Sequence, residues 1–525
     1  MIETPRRRRA TTTPARSSPA QLSPAQRWSV LAIVSSALLL ITLDNTVLYT
    51  ALPRLTEELE ATTSQSLWII NAYPLVIAGL LPGSGALGDR LGHLRIFQYG
   101  LVIFGLASLL AAFSPTAGVL IAARAGLAVG AAAMMPATLA LIRISFPIER
   151  ERNVAIAIWA AVSLVGMAAG PIVGGLLLEF FWWGSVFLIN VPIVLAASVA
   201  ILLAGPANVA DPSRRWDWLS SAQIMAGLSA SVLALKSLAE TEVSWLTVVV
   251  SAVIAASTLT LFTRRQARLA RGEHEYLDQP LIDFTVFRNR AFSAGVIAAG
   301  ISIFAIMGIQ LAGTQRYQLV EGFSPLQAGL LVSALAVGAM PLSLLGGAVL
   351  HRTGLLVLIG GGIGLATLGA GITALAAARD TFSLLIIGLL VVGAGLGASM
   401  SVASTAIMGN VPPQRAGMAA SLEEVSYEFG GLVGVAVLGT LLNFAYLHLF
   451  SPPAGAGDFR GQAPAEALQS TDPAVIAAAG EAFDGAFVIV LLTVTLFLAA
   501  AAALTALLLR RYTPGTASQA YPDNH

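Results

Sequence analysis

The sequence predicts an all-α polytopic membrane protein with fourteen transmembrane helices. Its composition is 56% hydrophobic and only 11% charged, whereas soluble domains carry about 25% charged residues. The apolar residues form fourteen long runs, and crossing a hydrocarbon core of ~30 Å takes about 20 helical residues. The basic residues concentrate on alternate connections between these runs, which is the pattern that orients membrane helices.

Short polar turns separate most of the expected spans, so that consecutive spans are antiparallel neighbours. The span cores are expected at 28–52, 67–88, 94–113, 117–142, 154–178, 184–204, 217–238, 244–263, 291–314, 325–349, 356–377, 381–408, 416–443 and 484–509.

The distribution of basic residues predicts that both chain ends lie in the cytosol. The first 27 residues are rich in Arg and lack the apolar core of a secretory signal. We interpret them as a disordered basic tail that binds no nucleic acid, because no aromatic or amphipathic pattern accompanies the charge. Of the 29 Lys and Arg residues, six fall outside the expected inner segments: Arg54, Arg316, Arg379 and Arg460 on the outer side, and Arg124 and Lys236 at membrane depth.

Weak internal symmetry predicts two six-helix halves. GALGDRLGHLR (Gly85 to Arg95) ends the second span and GGAVLHRTG (Gly346 to Gly354) ends the tenth. Parallel repeats of this kind occur in transporters built from two halves. The expected organisation is a tail at 1–27, an N-terminal six-helix bundle at 28–204, two additional helices at 205–264, a cytosolic linker at 265–290, a C-terminal six-helix bundle at 291–509 with an outer loop at 444–483, and a cytosolic tail at 510–525.

Five segments, in order and on the appropriate spans, resemble signatures of the fourteen-helix drug:proton antiporter branch of the major facilitator superfamily. LDNTVLYTALP resembles its first-helix signature, and GALGDRLGHLR resembles the loop signature that the superfamily shares. IAARAGLAVGAAAMMPA, centred on Arg124, resembles the fourth-helix motif, and GMAAGPIVGG resembles the fifth-helix antiporter motif. SLEEVSYEFGG in span thirteen looks like a segment of quaternary-ammonium and multidrug exporters. The second-half loop departs from the pattern, because it has His351 and Arg352 but no Asp.

The resemblance implies the major facilitator fold, with two six-helix bundles plus two inserted helices. It also implies a function: proton-coupled antiport that exports lipophilic, often cationic drugs and dyes across the bacterial cytoplasmic membrane by alternating access. The energy source would be the proton gradient, without a cofactor. The expected partners are small substrates, protons and membrane lipids, and the chain is expected to act as a monomer. An exporter of one endogenous antibiotic, lipid or metabolite on the same fold stays open as the alternative.

Two motifs are expected to gate the transporter. Asp89 and Arg90 follow span two, where the Asp-bearing loop of the superfamily latches one half against the other. Arg90 alone would only hold this end of the span on the cytosolic side, where basic residues are in excess. The negative charge of Asp89 opposes that excess and needs another explanation. In span five, small residues at four-residue spacing let helices touch closely, and proline can bend the helix. We expect a sliding interface between the halves there, with a static packing motif as the alternative; the stripe is Gly166, Gly170, Pro171, Gly174 and Gly175.

Charged residues inside the spans are the candidates for proton coupling. Arg124 lies about seven residues inside span four, ~10 Å deep, and Asp44 lies at similar depth in span one. A buried guanidinium needs a partner. We expect the two residues to communicate directly or through water, so that protonation of Asp44 biases the gate. A fixed structural ion pair is the alternative.

Span thirteen contains three carboxylates, Glu423, Glu424 and Glu428. Glu424 and Glu428 are four residues apart and share one helix face, whereas Glu423 points roughly 100° away and is best explained as structural. Acids at this depth face the protein interior and not lipid. Such a carboxylate takes a proton or a cationic drug but not both easily, which is a simple basis for exchange. The alternative is that protonated carboxylates serve as interhelical hydrogen-bond donors.

Aromatic side chains are expected to line a drug cavity, because they hold flat cations by cation–π contact. Most aromatic residues in membrane helices pack or lie at the interface instead. The candidates are Trp68, Tyr73, Tyr427 and Phe304.

Other functional classes lack their sequence signatures. There is no repeated charged ring or carbonyl filter of a channel, and no GxxxxGK[ST] segment of an ATP-driven pump. The sequence has no cysteine, and none of its five His residues forms an HExxH segment, so no metal site is expected. We therefore expect a secondary transporter and not an enzyme.

Overall fold

The computed structural model of the protein describes residues 22–211, 217–238, 244–271, 280–412, 415–452, 464–468 and 470–512. Within these ranges the chain forms helices and their connections, without a strand. Residues 1–21 of the expected N-terminal tail, residues 513–525 of the C-terminal tail and part of the loop expected at 444–483 lie outside the described residues.

The long helices of the described chain are numbered α1 to α14. Eleven are each a single element: α1 Pro24–Glu58, α2 Thr63–Leu91, α3 His93–Ala112, α4 Ala117–Ser145, α5 Glu149–Phe180, α7 Trp218–Leu238, α8 Trp245–Ala270, α9 Arg290–Leu319, α12 Phe382–Gly409, α13 Ala416–Leu449 and α14 Pro473–Leu509. Three consist of two pieces: α6 Ser185–Leu188 and Asn190–Ala204, α10 Pro325–Val332 and Ala334–Leu355, and α11 Leu356–Gly360 and Gly361–Ala378. Two short turns complete the described helices: Phe284–Arg288 and Pro464–Leu468.

These helices have the length and composition of membrane spans. Twelve stretches of the described chain are long and apolar enough to cross a membrane. One of them, Gln327–Ala378, is 52 residues long and turns back at Gly354, whose φ of 77° lies in the left-handed region that favours glycine. Counting its two arms separately, and adding the 32 residues of α5, gives the fourteen predicted spans.

Several helices extend beyond the apolar cores that hydropathy marks. Helix α1 begins at Pro24, where Ser23 and Gln26 form a capping box, so residues 24–27 belong to the helix and not to the expected tail. Helix α8 continues to Ala270, past the expected linker boundary. The polar ends of these helices stay helical because capping and backbone hydrogen bonds stabilise them outside the apolar core.

Buried apolar side chains form two large clusters that correspond to two helix bundles. The first draws on α1 to α6, from Val30 to Ile201, and the second draws on α9 to α14, from Ala291 to Leu509. Residues of α12 and α13, such as Ile407 and Met418, join the first cluster. The two bundles are therefore in direct contact along a seam that includes α13.

Helix α7 covers part of this seam, and α8 packs against α7. Ser229 of α7 donates a hydrogen bond to the carbonyl oxygen of Leu75 in α2 at 3.0 Å. A third apolar cluster contains Ile224 of α7 and packs against Leu422 and Val425 of α13. Helix α7 thus contacts one helix from each bundle.

A polar network holds one end of α7 to α8. Arg265 donates hydrogen bonds to both carboxylate oxygens of Asp217, each at 3.0 Å. Burial alone would raise the pKa of Asp217, but hydrogen bonds from Arg265 and Ser220, together with the Arg265 charge, hold this pKa below its usual value. Gln266 accepts a hydrogen bond from the backbone N–H of Leu281 at 2.7 Å, which ties the following linker to α8.

The turns α2–α3 and α4–α5 lie at the same end of the antiparallel bundle. They carry Arg90, Arg95, Arg150 and Arg152, and this end is called the arginine-rich end below. The other end is called the opposite end.

Candidate transport site

A buried ion pair lies inside the N-terminal bundle. The carboxylate of Asp44 in α1 accepts a hydrogen bond from Nη1 of Arg124 in α4 at 2.7 Å, with the two side chains 1% and 0% exposed. Nε of Arg124 also donates to the carbonyl oxygen of Ile69 at 3.3 Å. The guanidinium lies 4.6 Å from the ring centre of Tyr73. The structure therefore joins Asp44 and Arg124 directly, and removing one partner would leave an uncompensated buried charge.

Two neutral polar side chains complete the surroundings of Asp44. Asn190 of α6 donates from Nδ2 to Oδ1 of Asp44 at 2.9 Å and to Oγ of Ser108 in α3 at 3.2 Å. Both Asn190 and Ser108 are fully buried. Neither residue stands out in the sequence, because an uncharged Asn or Ser within an apolar run is common in membrane helices.

The glutamates of α13 have different environments. Glu423 is buried and accepts hydrogen bonds from the hydroxyl of Tyr427 at 3.0 Å and from the hydroxyl of Ser404 in α12. Glu424 is 2% exposed, and its Oε1 has no hydrogen-bond partner among the described residues. Glu428, one turn further along, is half-buried. Glu423 is thus tied into the C-terminal bundle through Oε1, and its Oε2, like Oε1 of Glu424, has no hydrogen-bond partner among the described residues.

Tyr73 lies between the charges of the two bundles. Its ring packs against Arg124, and it is close enough to Asp44, Glu428 and Glu424 to interact with them electrostatically. Its hydroxyl has no hydrogen-bond partner within the described chain. The ion pair of the N-terminal bundle and the carboxylates of α13 therefore approach each other around one tyrosine of α2.

Asp89 joins the two bundles at the arginine-rich end. Its Oδ1 accepts a hydrogen bond from the backbone N–H of Gly417, in the first turn of α13, at 3.2 Å. The same oxygen lies 3.0 Å from Nε2 of His93. A helix N-terminus presents free N–H groups and favours a negative charge. Asp89 thus contacts the other half, as the latch hypothesis requires, and the adjoining Arg90 is half-buried.

Helices α2 and α13 approach each other closely beside Asp89. A Cβ atom on Gly85 would lie 2.4 Å from the carbonyl oxygen of Gly417 and 2.0 Å from Oγ of Ser421. The hydroxyl of Ser421 donates to the carbonyl oxygen of Leu81 at 2.8 Å. A side chain at position 85 has no room here, so the contact requires glycine.

Two further hydrogen bonds connect the bundles toward the same end. Arg143 of α4 donates to the carbonyl oxygen of Val411, which follows α12. Ser343 of α10 donates to the carbonyl oxygen of Ala157 in α5 at 3.4 Å. Together with the α2–α13 contact, these bonds close the arginine-rich end.

Two glycines of the α5 stripe, Gly166 and Gly170, pack against α1 within the N-terminal bundle. A Cβ atom on Gly166 would lie 1.9 Å from Oγ1 of Thr42, and one on Gly170 would lie 1.8 Å from Oγ1 of Thr46, both in α1. The expected sliding interface between the halves is therefore wrong for these two glycines. Four-residue spacing indicates a close helix contact but does not identify the neighbouring helix. The other members of the predicted gating set lie in the same helix: Pro171 and Gly174.

The four candidate cavity aromatics lie in different places. Trp68 is 42% exposed near the start of α2. Phe304 is buried and packs against Phe497 of α14, with ring centres 5.3 Å apart, so it belongs to the core of the C-terminal bundle. Tyr73 and Tyr427 are the two that contact charged groups, Arg124 and Glu423 respectively.

Two helical bundles that meet along a polar seam, with charged side chains buried on both sides of it, define a secondary membrane transporter and not an enzyme. The chain belongs to the Major Facilitator Superfamily, whose sequence profile matches residues 34–435.

Similar proteins include drug-resistance transporters. The chain is 35% identical over 434 residues to the methyl viologen resistance protein SmvA of Salmonella typhimurium, covering 82% of this chain and 85% of that protein. It is 37% identical over 450 residues to the multidrug efflux pump LfrA of Mycolicibacterium smegmatis, covering 85% and 87%. Its fold is similar to the crystal structure of the human organic anion transporter MFSD10, with a TM-score of 0.59 and 14% identity over 91% of this chain and 100% of that one.

Proposed function

We propose that the protein is a proton-coupled antiporter that exports lipophilic, often cationic small molecules across the bacterial cytoplasmic membrane by alternating access. The observation that carries this proposal is the environment of Glu424. Its carboxyl group is 2% exposed and forms no hydrogen bond at Oε1 within the described chain. A carboxylate in such a place is stable only if a proton or a cation offsets its charge.

Competition at Glu424 would couple the two fluxes. A proton that arrives from the outer side displaces the cationic substrate, and a substrate that arrives from the cytosol displaces the proton. Glu428 lies one turn further along the same helix face and would extend the site toward Tyr73. We assign Glu423 a structural role, because it accepts hydrogen bonds from Tyr427 and Ser404.

Asp44 and Arg124 would transmit protonation to the gate. A proton on Asp44 removes the negative charge that holds Arg124. The guanidinium can then donate a hydrogen bond to another acceptor on the other side of Tyr73. Asp89 and Arg90 would form the latch at the arginine-rich end. We propose that Gly170, Pro171 and Gly174 let α5 bend against α1, in place of a sliding contact between the halves.

Further assignments complete the proposal. Both chain ends would lie in the cytosol, so that the arginine-rich end faces inward. The proton gradient would supply the energy without a cofactor, and the chain would act as a monomer among membrane lipids. The named roles of two relatives, methyl viologen resistance and multidrug efflux, support export of drugs.

The proposal is tested by ethidium efflux from cells that express the chain. A protonophore should stop efflux, whereas depletion of ATP at a constant proton gradient should not. Glu424→Gln should lose proton-coupled efflux, and Glu481→Gln, an exposed glutamate of α14, should behave like the parent. Efflux that survives the protonophore and stops on ATP depletion would rule out proton antiport.

A further inference from the structure

Asn190 lies where α6 is interrupted. The helix runs over Ser185–Leu188 and resumes at Asn190, so the side chain enters the bundle at the start of the second piece. Its Nδ2 donates to Asp44 at 2.9 Å and to Ser108 at 3.2 Å. Its Oδ1 is buried without a hydrogen-bond partner among the described residues. The amide therefore uses its donors and leaves its acceptor unpaired, although an unpaired buried acceptor is costly.

The charge on Asp44 explains this orientation. An ionised carboxylate is an acceptor only, so Nδ2 must face it. A protonated carboxyl group becomes a donor, and then Oδ1 of Asn190 is the better partner. The hydroxyl of Ser108 both donates and accepts, so it can follow a turn of the amide. Asn190 and Ser108 can thus reverse the direction of their hydrogen bonds without a change in the backbone.

We propose that Asn190 is a positioning residue for proton exchange at Asp44. Asn190 donates a hydrogen bond to the ionised carboxylate. After a half-turn of its amide, it accepts a hydrogen bond from the protonated acid. The hydroxyl of Ser108 in α3 then reverses the direction of its own hydrogen bond to Asn190. The proton itself goes from water to the Asp44 carboxylate and back, and no other bond is made or broken. This inference rests on the proposed function, in which Asp44 takes part in coupling.

Other charged or titratable groups face Asp44 but are unchanged by substitution of Asn190. Among the described residues these are Arg124 of α4 and Tyr73 of α2, with Glu424 and Glu428 of α13 on the far side of Tyr73. A change in the pH profile of an Asn190 variant therefore reports on its hydrogen bond to Asp44.

The test is the pH dependence of proton-driven ethidium transport in proteoliposomes. Asn190→Leu removes the donor, which destabilises the ionised carboxylate relative to the acid. Hydrogen bonds to charged groups are the strong ones, so the pH of half-maximal transport should rise by about one unit, equivalent to about tenfold in proton affinity. Asn190→Gln keeps the amide, so its pH of half-maximal transport should lie closer to that of the parent. Ser108→Ala should shift the profile in the same direction by a smaller amount.

A matched control is Ser35→Ala. Ser35 is a buried serine of α1 whose hydroxyl has no hydrogen-bond partner in the described chain, so its variant should keep the parent profile.

The outcomes separate the inference from the proposed function. If the parent transports ethidium without regard to the proton gradient, the proposed function fails, whatever Asn190 does. If the parent responds to the gradient and Asn190→Leu keeps the parent profile at a reduced rate, Asn190 is only structural and the inference is overturned. If Asn190→Leu does not reach the membrane, Ser108→Ala decides: a shifted profile supports the inference and an unchanged profile overturns it.

Discussion

Replacing Gly85 by alanine should weaken closure at the arginine-rich end. The new Cβ would lie 2.4 Å from the carbonyl oxygen of Gly417 and 2.0 Å from Oγ of Ser421. The serine hydroxyl can rotate away, but the backbone carbonyl cannot. Because Cβ atoms essentially never come within 3.0 Å of another heavy atom, helices α2 and α13 must separate locally by at least ~0.6 Å in a close-packed interior.

The energetic cost follows from the packing. Forcing one extra methyl group into a well-packed contact costs about 1–3 kcal/mol, which corresponds to roughly a 5- to 150-fold shift from the closed toward the open state. Gly364→Ala in α11 is the matched control, because a Cβ there has no atom within 4 Å. Both substitutions bring the same gain in helix propensity, about 1 kcal/mol, so their difference isolates the clash.

Distances between spin labels would measure the shift. The sequence has no cysteine, so labels can be attached at Ile148→Cys and His351→Cys, two exposed positions on different bundles at the arginine-rich end. Gly85→Ala should move the distance distribution to longer values, and Gly364→Ala should not. Identical distributions in the two variants would refute the reasoning that the α2–α13 contact controls closure.

Three other substitutions have definite expected results. Asp44→Asn should abolish exchange and lower stability by about 3–5 kcal/mol, because it leaves Arg124 buried without its partner; a fully active and stable variant in flux and melting assays would contradict this. Asp217→Asn should lower the free energy of unfolding by about 1–3 kcal/mol at neutral pH, because it weakens hydrogen bonds to a charged group. The folded-state pKa of Asp217 is held below 3.8. The difference in melting temperature between this variant and the parent should therefore vanish as the pH falls through that lower value. A difference that persists in stronger acid would argue against the ion pair. Phe304→Leu should lower stability by about 1 kcal/mol and leave the apparent KM for ethidium unchanged, since its ring packs in the bundle core; an altered KM would place Phe304 at the substrate site.

The sequence predicts the fold well because the hydrocarbon core imposes strong constraints. Every span must be apolar and helical over its length, and basic residues mark one side. The pairing of Asp44 with Arg124 was predictable for the same reason, because a charge at that depth requires a partner. The helix ends were missed, since their stability depends on caps such as Ser23 and not on apolarity.

Other features depend on which helices are neighbours, which hydropathy does not encode. The close-packing face of α5 was recognisable, but its contact with Thr42 and Thr46 of α1 follows only from the arrangement of helices in space. The hydrogen bonds of Asn190 to Asp44 and of Ser404 to Glu423 join residues far apart in the chain. Neutral polar residues in apolar spans carry no signal that distinguishes such partners.

Competition between a proton and a cation at Glu424 is tested most directly by proton release on substrate binding. Ethidium is added to the purified protein in weakly buffered detergent, and the released protons are counted against the ethidium bound. The measurement is made at a pH where Glu424 carries a proton. Because linkage is reciprocal, the parent and Glu481→Gln should then release about one proton per ethidium bound. Glu424→Gln should release none. Ethidium binding by the parent without proton release, or equal release by Glu424→Gln, would contradict the account.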